Sequence, residues 1–331
     1  MRLVAMACLA LGSRAERVGG QANSGALDLL FPMGARGTAL GFATVAETGG
    51  ESIWSNPAGL ARLTKPEFAV DHFVLFPVES GLGASIVLPA GAVGVFGISA
   101  RLFDYGSAEA RDEFDEVLGI TSTESRLIAG TFAAAFGDRL NAGIAFRLYN
   151  LGNPCSGLCP PKIVSVSSTN PYLDAGIQFR PSATSPFMFG AELSNIGPDF
   201  QLNDQPQSDA APSRVHFGAS YAPAAPSFDP LLHVRATGEV VMTPRRLFST
   251  PDLSKTEIRA GVEATYVSAN TTLALRGGYV KQSDEAAPGR GPSFGIGLSR
   301  ERIHVDFTRI FERFSTDLGV VPTYISIRVG L

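Results

Sequence analysis

The chain has 331 residues, a net charge of −4, 45% hydrophobic residues and 18% charged ones. Its mean hydropathy is +0.14 and its pI is near 5.7, so composition gives no basis for a nucleic-acid partner. Beyond the N-terminus no run of 18 apolar residues occurs, which excludes membrane-spanning helices and leaves strands as the way to use so much apolar sequence.

Residues 1–15 read as an export signal: Arg2 supplies the positive start, Leu3 to Leu11 the apolar run and Ser13-Arg14-Ala15 a small-x-small cleavage site. The alternative is a buried N-terminal helix. Residues 16–64 form an N-terminal segment ahead of the first strand. Within it ESIWSNPAGLARL, residues 51–63, reads as one short amphipathic helix carrying the single tryptophan, Trp54. Asn56 can cap the following turn and Pro57 suits the first helical position. Ile53, Trp54, Leu60 and Leu63 give that helix an apolar side that needs a surface to bury against.

From residue 65 to 331 the sequence alternates with period two. In EIRAGVEATY, Ile258, Ala260, Val262, Ala264 and Tyr266 share one face, and Glu257, Arg259, Gly261, Glu263 and Thr265 the other. Such alternation predicts strands with one apolar and one polar face. Fourteen are predicted, over 67–77, 79–89, 92–103, 124–136, 140–151, 171–180, 186–194, 213–221, 231–243, 255–268, 271–281, 292–300, 302–309 and 320–331. Connections after even-numbered strands are mostly short, and those after odd-numbered strands mostly long: 104–123, 152–170, 195–212, 244–254, 282–291 and 310–319. The long set carries some apolar residues, including Phe114, Val117, Leu118, Ile120, Leu247 and Phe248. An even strand count with connections sorted by parity is the pattern of an outer-membrane barrel. A soluble sandwich of this size would break into two domains with a linker, and its connections would have no reason to sort. The expectation is therefore an all-β protein: a single 14-stranded antiparallel transmembrane β-barrel in the bacterial outer membrane, with membrane lipid as its surroundings and a short helical segment before it.

Cys155 and Cys159 sit in NPCSGLCPP, a loop sequence, where a disulfide is favoured over a metal site or two free thiols. No catalytic or metal motif is found, and no cofactor is implied. The four histidines fall in separate strands; His216 and Ser220 lie on one strand face but about 13 Å apart by strand rise, too far to bond. Arg147, Glu192, Arg235, Glu239, Arg259, Glu263, Arg276, His304 and Asp306 would each cost a few kcal/mol against lipid, so all are expected to face the barrel interior. Two readings of that set are a salt-bridge network that stiffens the barrel and a lining for a ligand channel; the mixed signs favour the network.

GARGTALGFATVAETGGESIWSNPAGLARL, together with DAGIQFRP (174–181) and LSNIGPDFQL (193–202), resembles the PorV/PorQ family of outer-membrane proteins within the broader FadL-like barrels. The likeness covers nearly all the chain after residue 28. It departs from the family pattern at Glu47-Thr48-Gly49-Gly50, where aspartates are usual, and at the terminal Leu331, where Phe is common. The resemblance implies a non-enzymatic barrel whose N-terminal segment folds into the lumen as a hatch, with Trp54, Asn56, Pro57, Gly59 and Leu60 at its centre; a helix lying against the periplasmic rim is the alternative. It implies a partner in protein export of the type IX kind, binding secreted proteins or the translocon. A FadL-like uptake channel for hydrophobic small molecules is the second reading, and a purely structural outer-membrane protein the third. Oligomeric state is not legible.

Overall fold

In the computed structural model, residues 25–31, 33–76, 79–112, 114–159, 166–201, 208–227, 229–244, 256–282, 291–311 and 321–331 are described. The expected export signal, and Leu247 and Phe248 of the outer connections, lie outside these residues. The strands are β1 (Glu67–Phe76), β2 (Glu79–Pro89), β3 (Val95–Arg111), β4 (Val117–Phe136), β5 (Leu140–Asn153), β6 (Cys155–Gly157), β7 (Val166–Phe179), β8 (Phe187–Ile196), β9 (Arg214–Tyr221), β10 (Leu232–Met242), β11 (Thr256–Ser268), β12 (Thr271–Gln282), β13 (Gly291–Arg300), β14 (Ile303–Ile310) and β15 (Thr323–Gly330). Each of the fourteen predicted strands overlaps one of these, and β6 is a three-residue addition pairing only with β4.

Every pairing is antiparallel between neighbours, and β1 pairs with β15 from Glu67↔Gly330 to Val74↔Thr323, so the sheet closes on itself as a 14-stranded barrel. Closure leaves no edge and satisfies the backbone without water, as a membrane requires. The apolar faces point outward: Phe96, Ile98 and Leu102 on β3, Ile144, Phe146 and Leu148 on β5, and Phe294, Ile296 and Leu298 on β13 are all exposed. Residues of opposite parity, such as Ser85, Ser99, Thr131, Asn141 and Gln178, are buried. An apolar outer girdle around a polar interior makes this an outer-membrane β-barrel.

The predicted elements need three corrections, the first being that the expected connection 152–170 is partly strand: β5 runs to Asn153, β6 covers Cys155–Gly157 and β7 begins at Val166. The expected loop 104–123 is mostly strand, because β3 runs on to Arg111 and β4 begins at Val117. Crossing a membrane takes about 9–11 tilted residues, whereas β3 has 17 and β4 has 20, so this hairpin projects beyond the bilayer. Its outer part meets water on both faces and loses the apolar–polar alternation that marks the lower part; bulges between Asp104 and Ser107 and between Ala110 and Arg111 interrupt the pattern further. The single helix expected over 51–63 is instead two 3₁₀ turns, Gly50–Trp54 and Pro57–Leu60. Asn56 takes an extended conformation (φ −62°, ψ 109°), and its side chain accepts from the Ala58 N–H, so it starts a new turn instead of continuing the first. The one α-helix among the described residues of this segment, Ala35–Ala39, is not evident from the sequence pattern.

The core of the molecule is inside the barrel. Residues 25–31 and 33–66 run through the lumen, from the end with the long connections, where the Gly25 N–H bonds the Ala210 carbonyl, to the end with the short turns, where Arg62 donates to Gly137 O. Three apolar clusters join this segment to the wall: Met33 and Phe42 with Phe73, Phe103 and Tyr324; Leu29 with Leu127, Tyr149, Tyr172 and Phe200; and Ile53 and Leu60 with Val87, Val95 and Ala133. Trp54 packs against all three.

Candidate functional site: the filled lumen

The segment folds only into short turns and one five-residue helix, so the backbone polar groups these leave unpaired need partners from the wall. Inward side chains supply them. Thr308 Oγ1 donates to Ala35 O and Thr237 Oγ1 to Ala43 O, while Ser326 Oγ accepts from the Ala35 N–H. Gln178 Nε2 donates to the carbonyls of Val45 and Glu47. Glu239 Oε2 accepts from the N–H groups of Thr44 and Val45 at 2.8 and 2.9 Å. Where backbone meets backbone the wall carries glycine: a Cβ on Gly261 would stand 2.4 Å from Leu40 O, and one on Gly278 would stand 2.1 Å from Gly41 N. The small and polar residues of the interior face are therefore the imprint of the segment.

Asn56, with no exposed surface, ties the segment to β7 and β8: Nδ2 donates to Val45 O at 2.7 Å and reaches Ile177 O and Ala191 O at 3.3 and 3.4 Å. Gly176 lies beneath it, where a Cβ would fall 1.9 Å from Asn56 Oδ1. Pro57, Gly59 and Leu60 are buried beside it, Pro57 over Gly143 of β5. Trp54 is only partly buried; its Nε1 donates to Asp71 Oδ2 at 2.9 Å, and one face of the indole borders open space inside the lumen.

Six of the nine expected interior charges enter two chains of ion pairs, and four of them, Arg235, Glu263, Arg276 and Asp306, are in the chain that includes the segment residues Arg36, Glu47 and Glu51. Arg235 pairs with Glu47, Glu47 with Arg36, and Arg36 with Glu263, the last through Nε and Nη2 at 2.9 Å each. Glu263 pairs in turn with Arg276, Arg276 with Asp306, Asp306 with Arg328, and Arg328 with Glu51. A second chain runs Arg214–Glu257–Arg259–Glu239–His216. Arg147 pairs with Asp174. Two of the nine stand apart: His304 bonds Ser299 near the short-turn end, and Glu192 feels the charges of His216, Asp174, Arg147 and Glu239 without a hydrogen bond or ion pair to its carboxyl group among the described residues. In the segment, the carboxylates of Glu47 and Glu263 hold the Arg36 guanidinium charged, raising its pKa against the cost of burial. Burial pushes the Glu51 carboxyl above the usual carboxylate range despite the pull of Arg328.

His216 and Ser220 do not meet; Ser220 Oγ donates to Ala46 O. His216 lies between Glu239 Oε1, 2.8 Å from Nδ1, and Ser194 Oγ, 3.1 Å from Nε2. Glu239 also accepts from Arg259, Thr44 and Val45, which makes this relay part of the tie between wall and segment. Sequence spacing could not reveal it, because the three residues lie on three different strands.

Between the segment and the wall is a cavity of about 190 Å³. Leu29, Leu30, Phe31, Met33, Phe42 and Trp54 form its apolar side; Arg147, Glu192, Ser194, Asn195, Arg214, His216, Arg259 and Arg328 are on its polar side. On the opposite, membrane-facing surface, Phe132, Phe136, Ile144, Ile177, Leu193 and Phe217 border an apolar groove of about 670 Å³, with Ala134, Ala142, Ala175 and Ala191 along it. Glu192, Gly143 and Gly176 line this groove too, so the wall is thin here. Away from the lumen, Cys155 and Cys159 form a disulfide with Cα atoms 6.2 Å apart, and Gly119 of β4 lies against Cys159 Sγ.

No protein-family profile matches the chain, and no curated protein matches it in sequence. Solved structures match its fold. The toluene transporter TbuX of Ralstonia pickettii has a TM-score of 0.55 at 13% identity, over 90% of this chain and 98% of that one. The monoaromatic hydrocarbon channel CymD has a TM-score of 0.58 at 12% identity, over 92% and 99%. A FadL homologue of Pseudomonas aeruginosa has a TM-score of 0.53 at 11% identity, over 90% and 98%. At such identities the likeness is one of fold: the chain has the FadL-like barrel architecture.

Proposed function

We propose that this protein is an outer-membrane channel for small hydrophobic molecules, with residues 25–31 and 33–66 as a plug that holds the lumen closed around a binding cavity. The observation that carries the reading is the cavity itself. It lies within the lumen and is lined in part by an apolar group, Leu29, Leu30, Phe31, Met33, Phe42 and Trp54, and at about 190 Å³ it is somewhat larger than the roughly 150 Å³ of an engineered cavity that binds benzene. The similar folds belong to channels for toluene and other hydrocarbons, which favours uptake over the export role implied by the PorV/PorQ resemblance. Those neighbours are transport proteins, in keeping with a non-enzymatic reading.

Trp54 borders the cavity and is the single tryptophan, so it reports occupancy directly. Bromobenzene, whose heavy atom quenches indole emission, should quench Trp54 in the purified barrel with a saturable dependence, and toluene should compete. Quenching that rises linearly without saturation would mean partition into detergent instead of binding, and the channel reading would then fail. Retention of secreted proteins by the tagged barrel, without any saturable ring binding, would restore the export reading.

A further inference from the structure

We propose that the cavity selects single-ring molecules bearing a hydroxyl group, such as phenols and aromatic alcohols, over the bare hydrocarbons, and that Glu192 is the residue that selects them. This rests on the channel reading above and names its ligand class.

The apolar wall, with Phe31, Phe42 and Trp54, accounts for the ring. The opposite wall is crowded with charge, yet its cations are already engaged. Arg147 is held by Asp174, Arg214 by Glu257, Arg259 by Glu239 and Glu257, and Arg328 by Asp306 and Glu51. His216 is fixed between Glu239 and Ser194. Three carboxylates line the cavity, Glu47, Glu51 and Glu192. Glu47 and Glu51 each hold an arginine, although Glu47 Oε1, Glu51 Oε2 and the Arg214 Nε–H lack a hydrogen-bond partner among the described residues. Glu192, 6% exposed, is the one of the three whose carboxyl group has neither a hydrogen bond nor an ion pair among the described residues.

A buried polar group without a partner is costly, so a ligand that completes its hydrogen bonding gains what a hydrocarbon cannot. A site built to bond a substrate hydroxyl rejects the analogue lacking it far more strongly than an apolar pocket discriminates by size. The protonation state of Glu192 does not change the conclusion. A hydroxyl donates to a carboxylate and also accepts from a carboxylic acid. An ammonium group finds an opposite charge only in the first form, and a carboxylate ligand finds a donor only in the second. An anionic head would also have to displace carboxylates from arginines that are already paired.

The test uses the full-length barrel in detergent and ligand-observed fluorine NMR, with 4-fluorophenol and 4-fluorotoluene as a matched pair differing in OH against CH3. 4-Fluorobenzylamine and 4-fluorobenzoate supply the cationic and anionic heads. With each affinity corrected for partition into micelles, 4-fluorophenol should bind at least tenfold more tightly than 4-fluorotoluene and more tightly than either charged probe. Glu192→Leu should bring the phenol and toluene affinities within a few-fold of each other. Glu192→Gln, which keeps an acceptor and a donor, should preserve most of the preference. Heat-modifiable migration checks that each variant is a folded barrel. Equal or tighter binding of 4-fluorotoluene, a preference that survives Glu192→Leu, or tightest binding of the amine or the benzoate would each overturn the proposal while leaving the channel reading intact. Binding of none of the four would overturn the channel reading and this inference with it.

Discussion

Asn56 offers the sharpest test of how the inner segment is held. Replacing it with alanine removes the cap to the Ala58 N–H, worth about 1 kcal/mol, and the amide donors that reach Val45 O, Ile177 O and Ala191 O. Val45 O keeps a bond from Gln178 and so is not orphaned; the lost donors and the small void add about 1 kcal/mol more. Together these weaken docking by about 2 kcal/mol, which at 1.4 kcal/mol per decade is roughly a thirtyfold rise in the undocked population. Trypsin reads that population at Arg36, which is ion-paired inside the lumen. Cleavage tracks the open fraction when opening and closing outpace it. The barrel itself should assemble and remain heat-modifiable, since its strands close their hydrogen bonds without the segment. A rise in Arg36 cleavage of less than threefold, in a folded barrel, would refute the assignment of Asn56 as the tie between segment and wall.

The same assay reads other sites. Gly278→Ala sets a Cβ against the Gly41 backbone nitrogen; neither backbone can yield, so the segment should be displaced and Arg36 cut faster than in Asn56→Ala. Trp54→Phe keeps the ring but loses the bond to Asp71, whose other oxygen stays bonded to Ser326; a hydrogen bond to a charged group is worth about 1.5–3 kcal/mol, so cleavage should rise at least tenfold, and an unchanged rate would count against that bond. Alkylation of intact cells without reductant should label neither Cys155 nor Cys159, and rapid labelling of both would contradict the disulfide.

The barrel was legible because each strand divides its residues between lipid and lumen, and period-two alternation records that division directly. Where the division ends, legibility ends: Asp104–Arg111 continues β3 above the membrane with water on both sides, and it reads as loop. Asn56-Pro57 misled in the other direction. A cap followed by proline does start a turn, but that turn begins afresh instead of extending Gly50–Trp54, because the chain between them must bend to follow the wall. At the site, parity placed Glu192, Glu239, Glu263 and Arg276 inside but could not say what they touch. Nothing in the sequence pairs Asp28, Arg36 and Glu47 with Arg101, Glu263 and Arg235, since these partners lie between 73 and 227 residues away. The glycines of the polar face are the trace that the inner segment left in the strands.

The ion pairs that cross from segment to wall explain how a stretch with so little regular structure adopts one position. Asp28 meets Arg101 on β3, Arg36 meets Glu263 on β11, Glu47 meets Arg235 on β10 and Glu51 meets Arg328 on β15. Buried ion pairs contribute little net stability, because desolvating the charges offsets most of their attraction. Breaking one is different, at about 3–5 kcal/mol, since it leaves a buried charge uncompensated. A shift of the segment by one residue would break several of these contacts at once, on different sides of the barrel. Apolar packing around Trp54 therefore supplies the affinity, and the charges supply the register. The cavity exists only in that register, where Leu29–Phe31 and Trp54 face the wall that carries Glu192. Displacing the segment must disengage these pairs together, so it should leave the wall as a unit and not fray from one end.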